Sequence, residues 1–140
     1  MIENITEHFH TSREHASVAA ARLITESLSA RLQKHEAASL MVTGGTGPAR
    51  CYAELAASKL SWSSVDIVLS DERWVPPTDS NSNEKLIRDS LLVDQAKDAR
   101  LLSIYAGGTT PAEQCRRLND VMPSLPTPFA CALLGMGADG

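Results

Sequence analysis

Three apolar runs of strand length, residues 39–43, 65–70 and 129–134, each empty into a loop rich in glycine or charge. Between them lie segments with helical periodicity. A chain that alternates in this way folds most simply as right-handed βαβ units building a parallel sheet with helices against its faces. The fold class expected is therefore α/β, a parallel sheet flanked by helices. Ligands of such sheets bind beyond the carboxyl ends of the strands, which is where these three loops lie.

The helical segments carry their own signals. After a short extended start at about residues 5–9, Thr11 and Glu14 have capping-box spacing. A helix is expected over residues 13–34, with Ala16, Ala19, Ala20, Leu23 and Ile24 on one face. Pro48 suits the first turn of a second helix, whose inner face would carry Cys51, Tyr52, Leu55 and Ala56. Asn81 and Glu84 have N-cap and N3 spacing for a third helix running to about residue 92. Residues 101–104 read as a weaker strand and 111–118 as a helix. The 140 residues are expected to form a single α/β domain, with no repeats, low-complexity tracts or internal linker.

Composition narrows the function classes. A formal net charge of −4 argues against a general nucleic-acid binder, which needs a basic face. It leaves room for an anionic small molecule, because a few local donors suffice for one phosphate. No segment approaches transmembrane length and none resembles a signal peptide, so a cytoplasmic, reducing setting without membrane contact is expected. The three cysteines, Cys51, Cys115 and Cys131, are far apart and suggest neither a zinc site nor a disulfide framework. Cys131 is expected to pack as a small hydrophobe. His8, His10, His15 and His35 lack metal-ligand spacing and read as surface residues.

Chemistry concentrates in the three loops. In Thr43-Gly44-Gly45-Thr46-Gly47-Pro48, glycines let the backbone approach a ligand, and the N–H groups opening the next helix attract anions. The alternative is a tight strand-to-helix turn with no ligand. The sequence matches neither the dinucleotide fingerprint nor the P-loop. In Asp71-Glu72-Arg73, the planar fork of Arg73 suits a phosphate or carboxylate, and Asp71 could orient it or meet a sugar hydroxyl. The alternative is a solvated charged turn, although Trp74, Val75, Pro76 and Pro77 stiffen the chain directly after Arg73. In the third loop, Asp139 is either a helix N-cap or a ligand contact.

Taken in order, these segments resemble the 6-phosphogluconolactonases, within the sugar-phosphate isomerase/lactonase superfamily with its modified Rossmann fold. The first loop is similar to that family's Ser-Gly-Gly-Ser-Thr-Pro. Asp71-Glu72-Arg73-Trp74-Val75-Pro76-Pro77, with Ser82-Asn83 downstream, resembles its Asp-Glu-Arg, Val-Pro and Ser-Asn signature. Leu134-Gly135-Met136-Gly137-Ala138-Asp139-Gly140 resembles Leu-Gly-Met-Gly-Pro-Asp-Gly. Gly47 and Ala138 depart from the usual Thr and Pro.

The resemblance implies hydrolysis of 6-phospho-D-glucono-1,5-lactone to 6-phosphogluconate, in the oxidative pentose phosphate route, with no metal or organic cofactor. Arg73 would hold or steer the phosphate, Gly44, Gly45 and Thr46 would cradle anionic oxygen, and Asp71 and Asn83 would position the clamp or sugar hydroxyls. In the family the Asp-Gly pair runs into His-Thr-Ala-Ser, and that histidine is the expected acid/base. The sequence stops at Gly140, so the expectation is a domain truncated at its carboxyl end that binds better than it catalyses, leaving Asp71 and Asp139 as candidate catalytic groups. The competing expectations are an amino-sugar-phosphate isomerase or deaminase, whose Asp-Glu-Tyr motif differs at Arg73, a non-catalytic sugar-phosphate-binding domain, and an inactive fragment.

Overall fold

A computed structural model describes residues 4–137. Its elements are α1 (Arg13–Leu32), β1 (Ala38–Val42), α2 (Ala49–Ala56), β2 (Val65–Leu69), α3 (Asn83–Ser90), β3 (Arg100–Leu102), α4 (Pro111–Val121) and β4 (Cys131–Ala132). All described strand pairs are parallel, in the order β3-β2-β1-β4. The α/β alternation is as the sequence implies. Along β1 and β2, Ala38, Leu40, Val42, Val65 and Ile67 are fully enclosed, joined by Leu28 from α1, Tyr52 and Leu55 from α2, and Ile87 from α3. The inner face expected for α2 is the one observed, with Cys51, Tyr52, Leu55 and Ala56 all buried.

Several local expectations are displaced, each for a physical reason. Ser12, not Thr11, caps α1, its hydroxyl accepting from His15 N–H at 3.1 Å. Thr11 instead hydrogen-bonds the His15 ring at 2.8 Å. The buried stripe of α1 is Ser17, Ala21, Ile24 and Leu28, spaced four, three and four residues apart. Leu23 is 42% exposed, because five residues of α-helix turn it roughly 140° away from Leu28. α1 packs against both α2 and the sheet. The run 129–134 pairs only over Cys131–Ala132, against Leu40 and Met41, framed by bonds from Ala130 to Ser39 and Leu133 to Met41, both 2.9 Å. Two nearby prolines, Pro126 and Pro128, have no N–H to offer the ladder.

The end of β1 is pinned from α2. The Tyr52 hydroxyl donates to the Thr43 carbonyl at 2.5 Å and accepts from the Thr43 N–H at 3.1 Å. Burial raises the phenol above its usual pKa, beyond the lowering effect of the Thr43 bond, so the group stays a donor. This single side chain satisfies both backbone groups at the point where the strand becomes the first loop. Tyr52→Phe should leave both unpaired and lower unfolding free energy by about 1–3 kcal/mol, read by equilibrium urea denaturation. A variant as stable as the parent would mean that Thr43 finds other partners.

Candidate functional site

From β1 the chain steps outward to β2 and β3, then crosses back to place β4 on the far side of β1. That reversal leaves a crevice at the carboxyl ends of the strands, the usual ligand position in open parallel sheets. A cleft of about 500 Å³ lies there. Gly44, Gly45 and Gly47 line it from the first loop, Asp71, Arg73 and Asn83 from the second, and Gly135 and Gly137 from the third. Gly45 sits at φ +85°, in the left-handed region that favours glycine.

Asn83 ties two of these loops together. It is 2% exposed, and its side-chain oxygen accepts from Arg73 Nη1 at 2.7 Å while its amide nitrogen donates to the Asp71 carbonyl at 3.1 Å. Arg73 Nη1 also donates to the Asn81 carbonyl at 3.2 Å. Among the described residues the guanidinium makes its hydrogen bonds through Nη1 alone, leaving Nη2 and Nε without a protein acceptor. A Cβ on Gly44 would fall 2.0 Å from the Asn83 side-chain oxygen. Glycine at position 44 is therefore required by packing: Asn83 occupies the space a side chain would need.

Glu72 supplies the frame for this arrangement. Its Oε1 accepts from the Asn83 N–H at 2.6 Å and the Arg73 N–H at 2.8 Å. Its Oε2 accepts from the Glu84 N–H at 2.8 Å and the Ser82 hydroxyl at 3.0 Å. Ser82 is the N-cap of α3, accepting from the Lys85 N–H, so the expected Asn81 cap moves by one residue. The helix start thus receives a carboxylate from the β2 loop, which favours its unpaired N–H groups and its dipole. Burial pushes the Glu72 carboxyl up, but the Asn83, Glu84 and Arg73 N–H groups and the Ser82 hydroxyl together hold it below the usual value. Glu72 is occupied structurally and is not free to meet a ligand.

The remaining candidates separate. Asp71 is exposed, lines the cleft and accepts from the Ser70 hydroxyl at 3.0 Å. Thr46 is exposed on an adjoining groove with Arg13 and Arg50, outside the cleft lining. Asp139 lies outside the described residues. The four histidines are all exposed, and no cluster of three or more His, Cys, Asp or Glu could hold a metal among the described residues. Cys51 floors an apolar groove of about 260 Å³ beside the cleft. Burial, then the neighbouring Cys131, pushes its thiol up to about 11, so it is no thiolate nucleophile at neutral pH. Trp74 packs against Tyr105, ring centroids 5.0 Å apart, stiffening the segment after Arg73. The roles of Glu72 and Asn83 as frame and latch escape sequence reasoning, since all their partners but the Arg73 N–H, adjacent to Glu72, are ten or more residues away.

Two substitutions test this frame. Glu72→Gln should cost about 1–2 kcal/mol at neutral pH, by loss of charge-assisted bonds to the helix start. The parent carboxyl is depressed, so its stabilisation is complete above the ordinary value of 4.5 and is lost as pH falls through the folded-state value. The stability gap between parent and variant should accordingly shrink on acidification, measured by urea unfolding across pH 3–7; a gap constant with pH would contradict the assignment. Gly44→Ala should destabilise by about 1–3 kcal/mol through overpacking against Asn83, visible as a lower unfolding temperature.

Comparison with known proteins gives these loops a family setting. A family profile described as glucosamine-6-phosphate isomerases/6-phosphogluconolactonase matches residues 11–140. The chain is 37% identical over 129 residues to a 6-phosphogluconolactonase from Caulobacter vibrioides, covering 92% of this chain and 55% of the relative. It is 46% identical over 103 residues to one from Xylella fastidiosa, covering 74% and 42%. The crystal structure of a 6-phosphogluconolactonase from Shewanella baltica OS155 superimposes with a TM-score of 0.93 at 30% identity, over all of this chain and 60% of that one. The chain spans about half the length of the curated relatives it matches. With all three cleft loops inside the matched span, this chain belongs to the glucosamine-6-phosphate isomerase/6-phosphogluconolactonase family.

Proposed function

We propose that the protein hydrolyses 6-phospho-D-glucono-1,5-lactone to 6-phosphogluconate, in the cytoplasm and without a metal or organic cofactor. The observation that carries this reading is the held Arg73 guanidinium facing a glycine-lined cleft. One nitrogen is fixed by Asn83 and Asn81, so the remaining donors are preset for an anion. A preset fork loses less freedom on binding and discriminates phosphate geometry. The Caulobacter vibrioides and Xylella fastidiosa relatives carry the name 6-phosphogluconolactonase, which agrees with this substrate class.

In this reading Arg73 grips the phosphate and the backbone N–H groups of Gly44 and Gly45 approach the anionic oxygens. Thr46 stands further out, where it would meet only the edge of the phosphate. Asn83 keeps the guanidinium aligned, and Asp71 is the acceptor within reach of a sugar hydroxyl. The substrate would be anchored by its phosphate while water attacks the lactone carbonyl at the other end. The resemblance implies a histidine acid/base directly after the Asp-Gly pair of the family motif. General-base assistance of that kind contributes roughly 10²–10⁴ in rate, and the cleft residues named above are given the work of holding and orienting. No described helix is long and apolar enough to cross a membrane.

Arg73→Ala should weaken 6-phosphogluconate binding at least about tenfold in a variant that still folds, and should lower its unfolding free energy by about 1–3 kcal/mol, because the buried Asn83 side-chain oxygen loses its donor. Isothermal titration decides it. Unchanged affinity would remove Arg73 from the site.

A further inference from the structure

Arg13 opens α1, where a cation opposes the helix dipole. It is exposed, and among the described residues it forms no ion pair. The neighbouring charges are otherwise engaged: Glu14 pairs with Arg50 at 3.7 Å, and Arg50 pairs with Glu54 at 2.5 Å. One Arg13 nitrogen, Nη2, lies 3.6 Å from the point where a Cβ on Gly47 would sit. Nothing else approaches that point within 4 Å, and Gly47 has no left-handed φ to require glycine. The missing side chain at 47, one of the two departures from the family's loop pattern, is thus open space that a guanidinium borders.

The surroundings add to the same positive potential. Pro48 offers no side-chain cap to α2, and the first turn of that helix carries no acidic residue. Gly47 lines both the cleft that holds Arg73 and the groove that holds Arg13 and Thr46. The two arginines therefore stand at opposite ends of one loop, Arg73 beside Gly44 through Asn83 and Arg13 beside Gly47. We propose that Arg13 is a second phosphate-binding residue of the site, reaching a phosphomonoester oxygen past Gly47 and fixing specificity for the phosphorylated sugar. This rests on the lactonase reading above and extends it to a residue in the first helix. A phosphate dianion held between two guanidiniums and backbone N–H groups would be discriminated sharply from a neutral hydroxymethyl group.

The test is titration of the parent and Arg13→Gln with 6-phosphogluconate and, separately, with gluconate, which lacks the phosphate. Arg13→Gln should weaken 6-phosphogluconate about tenfold, leave gluconate binding unchanged, and leave the ligand-free unfolding temperature equal or higher, since a cation is removed from a helix start. Arg13→Lys should restore part of the loss as a point charge. If Arg13→Gln binds 6-phosphogluconate as tightly as the parent while Arg73→Ala does not, Arg13 is no part of the site and the lactonase reading stands. Equal weakening of both ligands would assign Arg13 a structural role and overturn the proposal. If the parent itself binds 6-phosphogluconate no better than gluconate, the phosphate site fails, and Arg13's role with it.

Discussion

The Glu72 carboxylate accepts from three backbone N–H groups and one hydroxyl, joining the end of β2 to the start of α3. Everything in the cleft depends on that junction. Arg73 is the next residue along, and Asn83 is the first residue of the helix so anchored. Their side chains meet because one carboxylate holds both backbones in register. Asn83 then presses against Gly44, where no Cβ could be accommodated, and this brings the β1 loop into the same rigid unit. A site assembled in this way is ordered before any ligand arrives, and binding energy is not spent on arranging it.

The electrostatics of the molecule are uneven in a way that composition conceals. The chain is acidic as a whole, with a formal charge of −4, yet the glycine loop has an arginine at each end. Glu72 is committed to the α3 N–H groups, and Glu14 and Glu54 to Arg50, whereas Asp71 in the cleft accepts from the Ser70 hydroxyl and forms no ion pair among the described residues. Local donors left without acidic partners matter more to an anion than the summed charge does, because exposed charges beyond about 10 Å are largely screened at ordinary ionic strength.

The sheet and its rim are legible in the sequence because their signals are local. Apolar runs, the inner face of α2 and the loop positions after β1 and β2 all arise from residues close in the chain. The capping residues are not legible in this way. Thr11 and Asn81 each have suitable spacing, but Ser12 and Ser82 take the caps, and a carboxylate ten or more residues upstream completes the second. Leu23 misleads about the stripe of α1, since the small Ser17 and Ala21 are buried beside Ile24 and Leu28 while Leu23 is turned outward. The 129–134 run pairs over less than its apolar length, because apolar character does not show that a partner strand is available. At the site, Gly44, Gly45, Asp71, Arg73 and Asn83 come together as the motif order suggests, whereas Thr46 faces the adjoining groove. No local pattern distinguishes a threonine on one side of a glycine loop from one on the other.

The central claim is that the three loops form one site for a phosphorylated sugar acid. The most direct measurement is a two-dimensional amide NMR titration of the protein with 6-phosphogluconate. Saturable shifts at Gly44, Gly45, Gly47, Arg73, Asn83 and Gly135, rising together with a single dissociation constant, are the expected result. Shifts confined to one loop, or scattered over residues remote from the carboxyl ends of β1, β2 and β4, would contradict it.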